Sequence, residues 1–177
     1  DLAAASGEDL AMVSDIVTDG LTAFGLSANE SGRFADVLAA ASSNANTNVS
    51  MLGESFKYVA PVAGALGYSI EDTSVALGLM ANAGIKASQS GTSLRTLMTN
   101  LASPTKNSAM AISQLGLNIQ DAKGNMLPFN DVMVQLRDGF NGLTEAEKAQ
   151  YAEMLAGKEG MSGLLAIVNS SQADFDN

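Results

Sequence analysis

The chain has 177 residues, which is enough to bury a hydrophobic core in one domain or two small ones. Apolar residues are 46% of the chain and the net charge is −10, so a disordered chain is excluded and nonspecific nucleic-acid binding is disfavoured. Because cysteine and histidine are both absent, a disulfide framework, a thiolate metal site and an imidazole base are excluded as well.

The sequence pattern of residues 1–48 predicts two amphipathic helices. The first covers residues 8–24, where apolar side chains recur at i, i+3 and i+4 spacing until Gly25 ends the pattern. Ser27 and Glu30 form a capping-box pattern that would open the second helix. Its inward side chains are expected to be Phe34, Val37, Leu38 and Ala41.

Two further helices are predicted over residues 49–82. The third helix begins near Val49, and Pro61 either ends it or kinks it on the way to Leu66. Ser69 is then expected to cap a fourth helix, whose early acids suit the positive end of the helix dipole. The fourth helix would bury Val75, Leu79 and Met80.

A fifth helix is predicted from Gly91 to Leu101, with leucine and methionine side chains at helical spacing. Ser103 has the residue type of an N-cap, and Pro104 suits the first position of a helix. The sequence therefore predicts a short sixth helix that ends at Leu115.

Residues 117–129 carry the only hairpin pattern in the chain. Leu117 to Gln120 alternates apolar and polar side chains, and Asp121 to Asn125 supplies turn residues. Two strands alone would be marginally stable, so this small β-hairpin is expected to lean on helices.

The last part of the chain returns to helical patterns. A helix is predicted from Asn130 or Asp131, and the capping box of Thr144 and Glu147 opens another that runs to Leu155. A glycine-rich stretch over residues 157–163 separates it from a last helix, and beyond residue 170 the chain is expected to fray.

These elements predict an all-α fold, in which eight or nine short helices and one β-hairpin form a compact domain over residues 1–177. The chain opens without methionine or a leader pattern, and we expect it to be a piece of a longer protein. Similar apolar positions recur at an offset of 42 residues, which divides the domain into units 25–66, 67–104 and 105–177. Chance similarity in a chain so rich in alanine and serine is the alternative to a helix-pair repeat.

The charges are unevenly distributed along the chain. Residues 1–72 carry ten acids and two bases, whereas residues 73–120 carry three bases and no acid. Lys86, Arg95 and Lys106 are therefore the candidate contacts for an anionic partner. The alternative is that they are three solvated charges on separate elements.

No sequence pattern predicts an enzyme, a cofactor site or a metal site. Ser103 to Lys106 spells the S-x-x-K acylation motif without its companion elements, so capping explains the serine better. Gly157-Lys158 lacks the remaining positions of a phosphate loop, and Asp121 to Asn125 offers one carboxylate where calcium takes six to eight oxygens. The acid pairs Glu71/Asp72 and Glu145/Glu147 sit at predicted helix starts, where acids are expected.

Several short segments of the sequence, in the same order, resemble segments of the tape measure proteins of long-tailed phages and related prophages. The resemblance covers roughly residues 30–170. Its matching residues include Met51-Leu52-Gly53-Glu54, Lys57 to Ala63, Met80 to Lys86, Gly91 to Arg95, Pro104-Thr105, Asp121 to Pro128, Leu143 to Lys148, Gly157 to Gly160 and Ser162 to Ala166.

The resemblance implies a structural protein of the virion tail, made in the bacterial host cytoplasm, that sets tail length and leaves ahead of the DNA at genome ejection. The implied partners are tail tube, tail-tip and tail-assembly chaperone proteins, with self-association as a further expectation. No specific nucleic-acid binding is expected, and membrane contact belongs only to an alternative function.

A length ruler should be extended, yet glycines, prolines and caps interrupt this segment every 12 to 20 residues. A folded chain of this size has a radius of gyration of roughly 16 Å, whereas one continuous helix would be about 265 Å long. We therefore expect a compact module that docks the ruler to partners or refolds at ejection.

The sequence is compatible with two alternative functions. A membrane-active helical module would use the apolar segments 58–70 and 163–168 and the small-xxx-small spacings in the first of them. A wall-cutting muramidase would use one of the acid pairs.

Overall fold

The computed structural model describes residues 10–176 of the chain, and these residues are almost entirely helical. The prediction of an all-α fold is therefore confirmed. The helices are α1 (Leu10–Ala23), a 3-10 turn (Ala28–Glu30), α2 (Ser31–Asn44), α3 (Val49–Ala65), α4 (Ile70–Asn82), α5 (Ala87–Ala102), α6 (Lys106–Leu115), α7 (Phe129–Phe140), α8 (Glu145–Asn169) and α9 (Gln172–Asp176).

Helix α5 is the centre of the bundle, because α3 and α8 pack on two of its sides more extensively than any other described pair. Small side chains allow this close approach. The Ser55 hydroxyl of α3 lies 2.8 Å from the Ser90 hydroxyl and donates to the Ala87 carbonyl at 2.9 Å. On the other side, the Ser93 hydroxyl donates to the Gly160 carbonyl of α8 at 3.0 Å.

Helices α2 and α4 form a second packed pair beside α3 and α5. Arg33 contacts Glu71 near the start of the pair, and the Asn46 amide donates to Asn82 Oδ1 near its end. The two helices therefore run in the same direction. Helices α3 and α5 are also parallel, since Ser55 meets Ser90 and, further along both helices, Tyr58 meets Arg95. Parallel packing of this kind occurs in stacked helix pairs. The division into repeat units remains a prediction.

Aromatic and aliphatic side chains fill the core between these layers. Phe34 is fully buried and lies 5.3 Å, centroid to centroid, from Phe56, while Phe24 packs edge-on to both rings. Tyr68 and Phe129 form another ring pair at 4.9 Å. The buried leucine and methionine core includes Leu77, Met80, Leu94, Leu97, Met98, Met133 and Leu136.

The prediction of a β-hairpin at residues 117–129 is wrong, since no strand forms there. One isolated antiparallel bridge joins Gln120 and Met126. The Asp121 carboxylate accepts hydrogen bonds from the Lys123 and Asn125 amides. Two backbone bonds, from the Asp121 amide to the Asn125 carbonyl and from the Leu127 amide to the Ile119 carbonyl, also hold the turn, but the pairing is too short to form strands. Pro128 has no amide donor and the next residue begins α7, which leaves no length for a second strand.

Two of the predicted helix caps are wrong and two are confirmed. The Ser27 hydroxyl bonds the Asn29 side chain instead of a backbone amide, and Ser103 ends α5 instead of opening α6. Thr105 caps α6 in a capping box with Ser108, and the Ser108 hydroxyl also donates to the Asn100 carbonyl of α5 at 3.1 Å. The caps by Ser69 and by Thr144 with Glu147 form as predicted.

Several helix bounds also differ from the predictions. Pro61 lies inside α3, which continues to Ala65, so the helix does not end at the proline. Helix α5 begins at Ala87, four residues before the predicted start. The glycine-rich stretch 157–163 interrupts α8 only at Gly157. The predicted start of the first helix at residue 8 lies outside the described residues.

Residues 171–176 are not frayed, contrary to the prediction. Residues Gln172–Asp176 form α9, and Phe175 is buried. The Arg137 guanidinium lies over the Phe175 ring at 4.6 Å and donates to the Ile167 carbonyl at the end of α8. This one side chain from α7 therefore holds the last turn against the bundle.

Candidate functional site

The three predicted basic contacts lie on different parts of the α5 and α6 region. Lys86 precedes α5, Arg95 lies in its middle, and Lys106 is the first residue of α6. Lys86 and Arg95 are nine residues apart, which corresponds to about 13 Å along a helix axis. Arg95 also lies 5.8 Å from the centre of the Tyr58 ring. Lys86 and Arg95 lie on different turns of one helix region and Lys106 lies on the next helix, and their role as an anion site remains a prediction.

The acid pairs are occupied by structural contacts. The Arg33 guanidinium donates to both Glu71 carboxylate oxygens at 2.7 Å, which lowers the pKa of Glu71 and raises that of Arg33. Asp72 accepts from the Asn130 amide at 3.0 Å and so links the starts of α4 and α7. Glu147 completes its capping box, and Glu145 is almost fully exposed. Neither pair has the arrangement of a catalytic acid beside a base.

The other motifs are also explained by local structure. Ser103 is exposed at the end of α5, and Lys106 opens α6. Gly157 occupies a backbone conformation with φ of 72°, which breaks α8. Among residues 10–176, no group of three or more acidic, histidine or cysteine side chains is arranged to hold a metal ion.

Two connected surface grooves lie beside α4. One, of about 190 Å³, runs between α2 and α4 over small side chains such as Ala41 and Gly78. The other, of about 470 Å³, continues between the end of α4 and the second half of α8. Leu79, Asn82 and Asp174 line both, so α9 partly covers the place where the grooves meet.

A third groove, of about 750 Å³, lies between α1 and α3, and we call it the α1/α3 groove. No sequence pattern predicted it. Asp15 and Asp19 are exposed on α1, and Glu54 and Lys57 are exposed on α3. The spacing of the two aspartates, i and i+4, signals one acidic helix face. No local sequence pattern predicts that α3 packs beside this face of α1. The remaining lining residues are Met12, Ile16, Gly20, Ala23, Ser50, Gly53, Phe56, Ala60 and Pro61.

The apolar segments singled out for a membrane-active module pack inside the bundle. Ala60 and Ala63 are buried, and Gly64 lies against the backbone of Ala23 and Phe24. Within residues 10–176, none of the helices combines the length and the apolar character that a membrane crossing requires.

Comparison with known proteins gives two consistent results. The profile of the family described as phage-related minor tail protein matches residues 1–157. The chain is 42% identical over 176 residues to the tape measure protein of Pneumococcus phage Dp-1, and 29% identical over 152 residues to the probable tape measure protein of Escherichia phage P2.

The matches cover most of this chain but a small part of each relative. They span 99% and 85% of the chain, against 15% of the Dp-1 protein and 19% of the P2 protein. No solved structure matches the chain.

Proposed function

Because the chain belongs to the phage-related minor tail protein family, we propose that it is a compact docking module of a tape measure protein. The module attaches a longer, extended ruler to proteins of the tail tip or of tail assembly. It is a structural part of the tail rather than an enzyme.

The observation that carries this proposal is the packed core of the described residues. A ruler inside a tube needs length in proportion to residue number, about 1.5 Å for each residue of a continuous helix. Here the longest helix, α8, has 25 residues and is interrupted at Gly157. A bundle of short helices is suited to presenting a surface to a partner, and it contributes little length.

The proposal also covers the steps of tail assembly and genome ejection. The longer protein is made in the bacterial cytoplasm, enters the growing tail with this module as an attachment point, and leaves with the DNA at ejection. The resemblance to tape measure proteins supports this sequence of events.

An in-frame deletion of codons 10–176 in the phage that encodes the chain tests the function. We expect few or no assembled tails in electron micrographs, because the ruler loses its attachment. If residues 10–176 instead served as a helical rod, tails would assemble and be shorter by about 250 Å. Complete tails with such a uniform shortening would contradict the docking function.

A further inference from the structure

We propose that the α1/α3 groove binds a basic amphipathic helix of another tail protein. This inference rests on the proposed docking function and identifies the surface that docks. Apolar side chains of the incoming helix would lie on the floor of the groove, and its lysine or arginine side chains would face the acidic rim.

The shape of the groove suits a helix of about three turns. Its lining on α3 runs from Ser50 to Pro61, a length of about 16 Å at 1.5 Å per residue. Phe56 and Ala60 lie buried beneath the groove, so the apolar surface open to a partner includes the partly exposed Ile16 of α1 and the exposed Pro61 of α3. Apolar side chains on one face of a partner helix would contact this surface.

The charges of the rim determine the chemistry of the partner. Asp15, Asp19 and Glu54 are exposed carboxylates, and Lys57 is the only base among the lining residues. None of these four side chains takes part in an ion pair or a side-chain hydrogen bond within residues 10–176, so their charges are available to a partner. A helix with several bases and an acid opposite Lys57 would be complementary.

The groove is held in shape by close contacts between its two helices. A methyl group placed on Gly53 would lie 2.5 Å from the Ile16 Cδ1 atom, so the glycine provides the seat for that isoleucine. Gly64 similarly lies against the Ala23 carbonyl oxygen. A preformed surface loses little conformational entropy on binding, which favours affinity.

The other grooves are poorer candidates for the same partner. Glu71, the main acid of the groove between α2 and α4, is already paired with Arg33. Asp174 in both neighbouring grooves belongs to α9, which occupies part of that surface. The acidic rim of the α1/α3 groove also repels nucleic acid and anionic lipid, which leaves a basic protein segment as the complementary occupant.

The test measures binding of a synthetic peptide to the 177-residue chain. The probe is a leucine and lysine helix of about 14 residues, with its leucines at i, i+3, i+4 and i+7. We expect saturable binding that weakens with salt, and the Asp15→Lys/Asp19→Lys variant should bind at least about tenfold more weakly. A matched peptide with glutamate in place of lysine should bind the variant better than it binds the original chain.

The control variant is Asp131→Lys/Asp138→Lys, which makes the same charge change at two exposed positions of α7. Its affinity for the lysine peptide should stay within about twofold of the original chain, since these sites are remote from the groove. Thermal unfolding of both variants checks that each is folded. Equal losses in the two variants would show general charge attraction and would overturn the proposal.

Two other occupants give distinct results. If the chain forms dimers that the Asp15→Lys/Asp19→Lys change dissociates, the occupant is a second copy and the proposal is wrong. Binding of the original chain to phosphatidylglycerol vesicles that the same change abolishes would equally refute it, in favour of a membrane.

The same variant in the phage separates this inference from the function on which it rests. Tail loss in both the deletion and the Asp15→Lys/Asp19→Lys phage supports both. If the deletion prevents tail assembly but the variant phage assembles normally, docking stands and the α1/α3 groove is not the docking surface.

Discussion

At the scale of single residues, small side chains set the distances between the helices. Gly91 of α5 lies against the Ser55 backbone of α3, and Gly163 of α8 lies against the Ser93 side chain. Neither glycine has a positive φ. A larger residue is therefore excluded by the lack of room beside the backbone, and not by the backbone conformation. The central helix can contact both neighbours closely only because these positions lack a Cβ atom.

Replacing Gly91 with alanine should therefore destabilise the fold. The added methyl group would overlap the Ser55 carbonyl oxygen, and overpacking of this kind costs about 1–3 kcal/mol. Gly32 of α2 is the matched control, because its Cβ position faces open space. Gly32→Ala should raise stability by about 0.5–1 kcal/mol through its helix preference. Urea unfolding measures both; equal effects would contradict the packing account.

Tyr68 is a buried side chain whose hydroxyl has no hydrogen-bond partner among the described residues. It is only 4% exposed, and burial raises the pKa of its hydroxyl to about 12. A tyrosine in the unfolded chain ionises near pH 10. The folded state therefore keeps its proton longer, and the resulting stability is complete below about pH 10 and lost as the pH rises toward about 12.

The Tyr68→Phe variant should be more stable than the original chain by about 1 kcal/mol at neutral pH, because an unsatisfied buried hydroxyl is removed. Its stability should also fall less between about pH 10 and pH 12. Tyr151→Phe is the control, since the Tyr151 hydroxyl donates to Gln114 at the surface. Unfolding midpoints across this pH range test the prediction, and a destabilised Tyr68→Phe variant would refute it.

At the scale of elements, the break in α8 shows how one helix adapts to another. Gly157 has φ of 72° and ψ of 174°, a backbone conformation that residues other than glycine rarely adopt. Asn100 of α5 donates to the Leu155 carbonyl just before the break, and Ser93 donates to the Gly160 carbonyl just after it. Side chains of the central helix thus bind both edges of the interruption.

Gly157→Ala should destabilise the chain by about 1–3 kcal/mol, because alanine is strained in this conformation. Gly139 in α7 is the control, since it is helical and its nearest contacts are ordinary ones at 3.8 Å. Gly139→Ala should be neutral or slightly stabilising. Chemical denaturation distinguishes them, and a Gly157→Ala chain as stable as the original would mean that α8 can run straight.

The local capping pattern was correct at Ser69 and Thr144 and wrong at Ser27, whose hydroxyl bonds the Asn29 side chain. Ser69 and Thr144 bond amides three residues ahead, and both were predicted. The cap of α6 was misplaced by two residues, because Ser108 also donates to the Asn100 carbonyl of another helix. Contacts between elements leave no local pattern, and so the sequence favoured Ser103.

At the scale of the whole molecule, the chain should scatter X-rays as a compact particle. A folded chain of 177 residues has a radius of gyration of roughly 16 Å. Size-exclusion chromatography with small-angle scattering measures this value directly. The Asp131→Lys/Asp138→Lys variant, whose net charge is −6 instead of −10, should give the same radius if shape rather than charge repulsion sets it. A rod-like profile would contradict both the bundle and the docking function.

The sequence by itself determined the helical class, most of the helix positions and the absence of cysteine and histidine chemistry, because helical periodicity and residue type are local properties. Short sequence segments spread along the chain also indicated the correct family. Only the tertiary structure decided that α1 and α3 enclose an acidic groove. Such surfaces depend on which helices pack together, and packing is set by contacts between residues far apart in the chain.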